Sequence, residues 1–297
     1  MDVVMLGGTD AGKTTYLSLM YRWLGEGVGG FSCRAADPYA HQTLTDTGRS
    51  VLAGTYPRKT TAPEVHDLVL RYQDQDVLPF RWRDHRGKAL TETRASNADV
   101  GQLQEDLRAA DGIMLFAEAP ELLAAGQSRL VRSMTTAVVR ALGEREGRRT
   151  PLVIALTKFD LVEGRGSAVM ERLKEPFAGL AEQAGANPNV RGAFVPLVCG
   201  PRPSNVQIPA LWLLNSGLIS RAERAAADAD EALRRGIAAA GQDTLLDRVL
   251  SWLDSSKSWR RISEEALEEA RAEHARLQPL LTPADRLDGL LRNVDSF

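Results

Sequence analysis

The sequence has little cysteine and no long apolar run. Its two cysteines, Cys33 and Cys199, lie far apart among 297 residues and match no disulfide or metal-binding spacing, which argues against a disulfide-stabilised secreted domain. No stretch reaches the roughly 18 apolar residues that a membrane-spanning helix needs. Asp2–Leu6 has the pattern of a buried strand rather than that of a signal peptide. The predicted location is therefore the cytoplasm.

An excess of charge of either sign is also missing. The formal net charge is -2 at pH 7, so electrostatics gives no reason to expect a nucleic acid or an anionic membrane as a partner. With 43% hydrophobic and 26% charged residues, the composition is that of an ordinary soluble globular protein.

Short apolar runs alternate with helical patterns over the first two-thirds of the chain, which predicts an α/β fold with a sheet covered on both faces. Six runs are interpreted as strands: Val3–Leu6, Leu68–Tyr72, Val77–Trp82, Ile113–Phe116, Leu152–Leu156 and Phe194–Val198. The helical patterns between them are Thr14–Leu24, Asn97–Arg108, Ser128–Leu142 and Ala168–Ala184.

The connection between the second and third of these strands predicts part of the topology. It consists of Gln73–Asp76 only, whereas parallel neighbours need about a dozen residues or more. The two strands should therefore form an antiparallel hairpin in an otherwise mostly parallel sheet. After about Pro203 the strand patterns stop and Ala, Arg, Glu and Leu dominate. We predict a domain over residues 1–215 and a helical extension over residues 216–297.

A phosphate-binding loop follows the first strand. The pattern G-x-x-x-x-G-K-[ST] is matched by Gly7-Gly8-Thr9-Asp10-Ala11-Gly12-Lys13-Thr14. The glycines let the backbone approach phosphates closely, and the start of the following helix presents free N–H groups to them. Lys13 is expected to reach the β and γ phosphates, the Thr14 hydroxyl to bind Mg²⁺, and Thr15 to lie near the α phosphate.

A second motif, D-x-x-G, ends the third strand as Asp84-His85-Arg86-Gly87. The alternation of Phe80, Trp82 and Asp84 along the strand predicts that Asp84 leaves the sheet near the phosphate-binding loop. There its carboxylate can hold a Mg²⁺ water, and the Gly87 N–H can turn toward the γ phosphate.

A third motif indicates the base. Thr157-Lys158-Phe159-Asp160 has the form [NT]-K-x-D and follows an apolar strand. The Asp160 carboxylate can accept both N–H groups on the N1–N2 edge of guanine, a pair that adenine does not offer. The Lys158 stem can lie along the base, and Thr157 can brace the phosphate-binding loop. The alternative is an ordinary turn that Asp160 caps.

Cys199 and Gly200 close the last predicted strand. The Gly200 N–H can bind O6 of guanine, although Cys199 is equally well explained as a small buried residue at a strand end. His41 and His66 are interpreted as surface residues without a functional role.

Together these residues resemble the TRAFAC class of GTPases, which holds the Ras-like and translation-factor GTPases, and more narrowly the bacterial double-GTPase-like proteins. The resemblance covers about residues 2–215 and implies a Ras-like P-loop GTPase fold that binds GTP or GDP with Mg²⁺. It also implies an effector or activating protein as a partner. A homodimer across the nucleotide face, which some members of the class form, is compatible with the sequence.

The resemblance extends to the first switch loop. Tyr56-Pro57-Arg58-Lys59-Thr60-Thr61 resembles the Arg-x-Lys-Thr stretch of heterotrimeric G-protein α subunits. It implies that Thr61 completes the Mg²⁺ shell, with Thr60 as an alternative, and that Arg58 is a built-in arginine finger. An exposed basic turn is the simpler alternative.

The sequence departs from the family directly after D-x-x-G. Lys88 stands where Ras-like proteins carry the glutamine that orients the attacking water, and a charged lysine only donates. His85 is a candidate substitute base. Slow or partner-activated GTP hydrolysis is expected. The alternatives are a GTP- or GDP-binding scaffold that does not hydrolyse, acting through its helical extension, and an ATPase in which Asp160 is incidental.

Overall fold

The protein is described by a computed structural model, in residues 1–58, 64–84, 97–125, 129–145, 147–164, 166–241, 268, 272 and 279–297. Its strands form one eight-stranded sheet in the order β2-β3-β4-β1-β5-β6-β7-β8. Their bounds are β1 Asp2–Gly7, β2 Phe31–Ala35, β3 Glu64–Tyr72, β4 Gln75–Asp84, β5 Gly112–Glu118, β6 Thr150–Thr157, β7 Val190–Pro196 and β8 Asp295–Ser296.

The sheet is parallel in its centre and antiparallel toward both edges. Strands β4, β1, β5, β6 and β7 pair in parallel, whereas β2–β3, β3–β4 and β7–β8 pair antiparallel. Gln73 and Asp74, between β3 and β4, both have positive φ, as the central residues of a tight type I′ hairpin turn do. The predicted fold class and the predicted hairpin are confirmed.

The helices connect these strands. Their bounds are α1 Lys13–Gly25, α2 Pro38–Leu52, α3 Asn97–Ala109, α4 Ala119–Ala125, α5 Arg129–Gly143, α6 Ser167–Lys174, α7 Ala178–Ala186, α8 Ile208–Gly241 and α9 over residues 279–291. A 3-10 turn at Glu175–Phe177 separates α6 from α7, so the predicted helical pattern Ala168–Ala184 is divided into two helices. The turn contains Pro176, which has no N–H to donate within a helix.

Four of the described helices and strands were not predicted, and one was displaced. Strand β2 and helix α2 lie between α1 and the switch loop, α4 follows β5, and β8 adds a strand beyond β7. The last predicted strand, Phe194–Val198, is observed at Val190–Pro196. Helix α2 begins at a cap, since the Asp37 carboxylate accepts a hydrogen bond of 2.7 Å from the Ala40 N–H and Pro38 takes the first helical position.

The core lies on both faces of the central strands. One face packs against α3, α5, α6 and α7 through aliphatic residues and Phe177. The other face packs against α1, where the Tyr16 ring contacts the rings of Trp82 and Phe116. Strands β1, β5 and β6 are accordingly buried over nearly their whole length, as parallel strands covered on both faces are.

The chain forms two compact units. One unit contains Met1–Gly217 together with Leu287–Phe297, and the other contains Leu218–Arg286. Within the first unit, the Gly192 and Phe297 backbones exchange hydrogen bonds of 2.8 and 2.9 Å, and the Phe297 ring lies 4.9 Å from that of Phe194. The last residues thus pack with the sheet. Among the described helices, none has the length and apolar character that crossing a membrane requires.

Candidate nucleotide-binding site

The turn between β1 and α1 has the backbone of a phosphate-binding loop. Asp10 has a φ of 68°, and Gly12, which precedes the first residue of α1, has a φ of 87°. These left-handed conformations turn the chain sharply and direct consecutive N–H groups into the concave side of the turn. Ala11 is buried, whereas Thr9 and Asp10 are exposed. The start of α1 therefore adjoins a left-handed turn suited to an anion.

The first glycine of the loop is required by packing. A Cβ at Gly7 would lie 2.7 Å from the Phe116 Cβ and 3.1 Å from the Phe116 carbonyl oxygen, far below ordinary van der Waals contact. A Cβ at Gly8 would lie 2.8 Å from a methyl carbon at the end of the Leu130 side chain, which can turn away. The loop can therefore sit against β5 only with glycine at position 7.

Lys13 is turned back over the loop. Its ammonium Nζ donates hydrogen bonds of 3.1 Å to the carbonyl oxygens of Gly7 and of Gly8, and its side chain is 9% exposed. Burial lowers the pKa of Lys13, and the negative charges of Asp84 and Asp10 oppose that change. A cation is thus held where phosphate oxygens of a bound nucleotide would lie.

Asp84 lies beside Lys13 and Thr14, the two loop residues that were predicted to bind phosphate and metal. The Thr14 hydroxyl donates a hydrogen bond of 3.4 Å to Asp84 Oδ2, and Lys13 Nζ lies 3.8 Å from Oδ1. Burial raises the pKa of Asp84 to about 6, the Lys13 charge opposes the change, and the Glu64 charge adds to it. The three predicted residues Lys13, Thr14 and Asp84 are therefore together at one end of the sheet.

This arrangement fits a divalent cation shared with a ligand. Within the described part of the chain, Oδ1 of Asp84 is buried and accepts no hydrogen bond, which leaves a carboxylate oxygen available to a cation or its water. Among the same residues, no group of three His, Cys, Asp or Glu side chains could hold a metal by itself. Thr14 and Asp84 would thus hold Mg²⁺ together with phosphate oxygens and water, the arrangement that Mg²⁺ prefers.

The turn after β6 carries the predicted base-recognition residues. The Thr157 hydroxyl donates a hydrogen bond of 3.3 Å to the Ala117 carbonyl of β5. Lys158 has a φ of 54°, and its Nζ donates a hydrogen bond of 2.5 Å to Glu118 Oε2. Both contacts fix the turn to the end of β5. Asp160, in the 3-10 turn Phe159–Leu161, is exposed and so is available to a ligand.

The segment after β7 lies beside this turn. Burial raises the pKa of the Cys199 thiol, and the negative charge of nearby Asp160 adds to the rise. Gly200 is buried, and a Cβ there would lie 3.0 Å from the Tyr56 hydroxyl oxygen. Tyr56, which is 57% exposed, thus approaches the candidate base site. The sequence analysis placed Tyr56 in the switch loop but missed this proximity, which no local pattern signals.

A comparison with protein-family models decides the family. The model described as Double-GTPase 2 matches residues 3–189, which is more than half of the 297 residues. The chain belongs to the Double-GTPase 2 family. The resemblance to double-GTPase-like proteins is therefore confirmed, and membership in a GTPase family implies that the bound nucleotide is a guanine nucleotide.

Several solved structures are similar to this Double-GTPase 2 chain at low identity. The signal recognition particle receptor SRb-GTP/SRX complex from Chaetomium thermophilum is 16% identical with a TM-score of 0.42, covering 73% of this chain and 97% of that chain. A probable GTP-binding protein engB is 13% identical with a TM-score of 0.41, and the match covers 73% of this chain and 98% of that chain. The S. cerevisiae Ski7 GTPase-like domain, bound to GTP, is 14% identical with a TM-score of 0.41, and the match covers 72% of this chain and 49% of that chain. No curated protein matches the chain significantly.

The remaining predicted site residues of the Double-GTPase 2 chain fall into two groups. Arg58 lies in the segment that follows α2 and is exposed, and Thr15 is half-buried in α1. The other predicted residues lie outside the described part of the chain, and their roles stay predictions: Thr60, Thr61, His85, Gly87 and Lys88.

The two histidines that were interpreted as surface residues each lie beside another polar side chain. The His41 ring nitrogen Nδ1 lies 2.6 Å from the Tyr21 hydroxyl oxygen. The His66 side chain is only 14% exposed, and its Nε2 lies 3.4 Å from Glu64 Oε2. The interpretation of His66 as a solvated residue is therefore wrong, because β3 carries it inside the sheet, opposite Trp82.

Proposed function

We propose that the protein is a GTP-binding switch that hydrolyses GTP to GDP and phosphate with Mg²⁺. The contact between the Thr14 hydroxyl and the Asp84 carboxylate, beside Lys13, carries this proposal. It joins the two motifs on which phosphate and metal binding depend in P-loop GTPases. Membership in a GTPase family supports the choice of nucleotide.

Lys13 would bind the β and γ phosphates. In the described structure it is bonded to two carbonyl oxygens of its own loop, and phosphate oxygens would replace them as stronger, charged acceptors. The N–H groups of the loop from Gly8 to Thr14 and the N–H of Thr15 would surround the remaining phosphate oxygens. Gly87 would donate its N–H to the γ phosphate.

Mg²⁺ would be held by Thr14 and Asp84, with Thr61 or Thr60 as the third protein residue. When bound, Mg²⁺ neutralises charge that develops on the phosphates during transfer. Asp84 is suited to this role, because burial and the Glu64 charge raise its pKa although Lys13 opposes the rise, so a divalent cation would further stabilise its ionised form.

Asp160 would select guanine. Its exposed carboxylate can accept hydrogen bonds from the N1–N2 edge, and the anchored turn of Thr157 and Lys158 would hold it in place. Gly200 would bind O6 through its N–H, beside Cys199. The Tyr56 hydroxyl lies beside Gly200, and we propose that the Tyr56 ring covers the base.

Hydrolysis would depend on positioning and electrostatics. Arg58 would stabilise negative charge on the transferring phosphate, and His85 would assist the attacking water. Because Lys88 cannot accept a proton while charged, the intrinsic rate should be slow or raised by a partner protein. We propose that the switch loops and the helical extension over residues 216–297 transmit the nucleotide state to that partner.

The second candidate is a scaffold that binds GTP or GDP without turnover, and Lys88 is the residue that favours it. Single-turnover hydrolysis, with protein in excess over radiolabelled GTP, separates the two. A first-order release of phosphate that Lys13→Ala abolishes supports the switch. Phosphate release equal to that of Lys13→Ala, with GTP still bound to the wild type, favours the scaffold.

A further inference from the structure

Glu64 and His66 lie on the same face of the sheet as Asp84. In the β3–β4 pair, Glu64 is directly opposite Asp84, and His66 is directly opposite Trp82. Directly opposed residues of an antiparallel pair share a face, with Cβ atoms about 5 Å apart. The Trp82 ring packs against Tyr16 of α1. Glu64 and His66 are therefore on the α1 face, which is the face of the nucleotide site.

The two side chains also contact each other. Nε2 of His66 lies 3.4 Å from Oε2 of Glu64, and the side chains are 14% and 47% exposed, respectively. Within the described ranges, this Nε2 is buried and forms no hydrogen bond. Its nearness to the Glu64 carboxylate keeps that carboxylate on the face of the sheet that it shares with Asp84.

We propose that Glu64 is a positioning residue for the Mg²⁺ side of the site and that His66 restrains its carboxylate. This inference rests on the proposed function. A second carboxylate beside Asp84 repels it in the absence of a cation and attracts a divalent cation to the same place. Glu64 would act through this field rather than as a direct ligand, because its carboxylate lies against Nε2 of His66, 3.4 Å away.

Partial exposure limits the size of the effect. Buried outer partners of metal ligands typically contribute about 10- to 100-fold in metal affinity, and solvent screens a half-exposed carboxylate more strongly. Removing the Glu64 charge should therefore raise the half-saturating Mg²⁺ concentration by about three- to tenfold.

The test is a Mg²⁺ titration of the binding of a fluorescent, non-hydrolysable GTP analogue. It compares the wild type with Glu64→Gln and with a matched control, Asp67→Asn. Asp67 lies on the same strand but on the opposite face, where it is exposed and bonded to Arg81 over 2.8 Å. Glu64→Gln should need about three- to tenfold more Mg²⁺, whereas Asp67→Asn should match the wild type.

Binding in EDTA separates a positioning role from a structural one. Loss of a negative charge near the phosphates should leave nucleotide binding in EDTA unchanged or tighter. Weaker binding of the GTP analogue to Glu64→Gln than to the wild type in EDTA would overturn the inference. An equal Mg²⁺ requirement of Glu64→Gln and Asp67→Asn would overturn it as well. If the wild type shows no Mg²⁺-dependent binding, the proposed function fails together with the inference.

Discussion

Thr14 and Asp84 are joined by a hydrogen bond of 3.4 Å although 70 positions separate them in the chain. The parallel pairing of β1 with β4 produces this contact, since Met5 pairs with Asp84 and the phosphate-binding loop follows directly. The contact places the metal-binding hydroxyl and carboxylate of the proposed site at one end of the sheet. At this end of the sheet the loop also packs tightly against Phe116.

Gly7→Ala should destabilise the fold. The new Cβ would lie 2.7 Å from the Phe116 Cβ and 3.1 Å from the Phe116 carbonyl oxygen, so backbone must move, which typically costs about 1–3 kcal/mol. Urea unfolding monitored by circular dichroism measures the loss. Gly101→Ala on α3 is the control, because a Cβ there meets no other atom within 4 Å and alanine favours a helix. Equal stability of the two variants would contradict the packing described for the loop.

Tyr56→Ala should weaken guanine-nucleotide binding. Stacking of a base on an aromatic ring contributes about 1–3 kcal/mol, so affinity should fall about fivefold or more. Tyr56→Phe should keep most of the affinity, since the ring remains. Equilibrium titration with fluorescent GDP measures the change.

The control for Tyr56 is Tyr39→Ala on α2. Tyr39 is 79% exposed and lies on α2 rather than in the nucleotide site, so the loss of its side chain should leave GDP affinity unchanged. A similar loss in both variants would show that the effect of Tyr56→Ala does not come from the base site.

Asp160→Asn should change the base preference from guanine toward xanthine. The asparagine amide can no longer accept two hydrogen bonds from guanine N1 and N2, but it can donate one to the O2 of xanthine. Hydrogen bonds to a charged group contribute about 1.5–3 kcal/mol, so GTP affinity should fall about tenfold or more. Competition of GTP and xanthosine triphosphate for the same fluorescent nucleotide measures the ratio. An unchanged GTP affinity would show that Asp160 does not recognise guanine.

Both cysteines should react slowly with thiol reagents. Burial raises the pKa of Cys33 to about 12, so at pH 8 only about one Cys33 side chain in ten thousand is a thiolate. At pH values below that pKa, the reaction rate of Cys33 should rise about tenfold for each unit by which the pH is raised, as long as the protein stays folded. Burial together with Asp160 raises the pKa of Cys199 as well. Absorbance after addition of a disulfide reagent follows the reaction, and urea-unfolded protein gives the reference rate. Fast reaction of Cys33, which is buried, at pH 8 in the folded protein would contradict the burial described.

Much of the site was predictable because its motifs are local. The phosphate-binding loop follows from the spacing of Gly7, Gly12 and Lys13, and the β3–β4 hairpin follows from a connection too short for a helix. The cap of α2 carried a local signal as well, in Asp37 followed by Pro38. The hydrophobic alternation of β2 is too short, at five residues, to be distinguished from a loop.

The rest depends on contacts between distant parts of the chain. Strand β8 has two residues and is determined by pairing with β7 and by the packing of Phe297 on Phe194. The proximity of Tyr56 to Gly200 and the position of Glu64 opposite Asp84 depend in the same way on how segments meet. Propensity and periodicity describe neighbours in sequence, so they do not contain this information.

The most direct test of the account is equilibrium binding of fluorescent GTP, GDP and ATP to the purified protein, with Mg²⁺ and with EDTA. GTP and GDP should bind at least about tenfold more tightly than ATP, since the hydrogen bonds to Asp160 are charged. Mg²⁺ should strengthen GTP binding through Thr14 and Asp84. Equal binding of ATP would contradict guanine recognition by Asp160, and the absence of nucleotide binding would contradict the site as a whole.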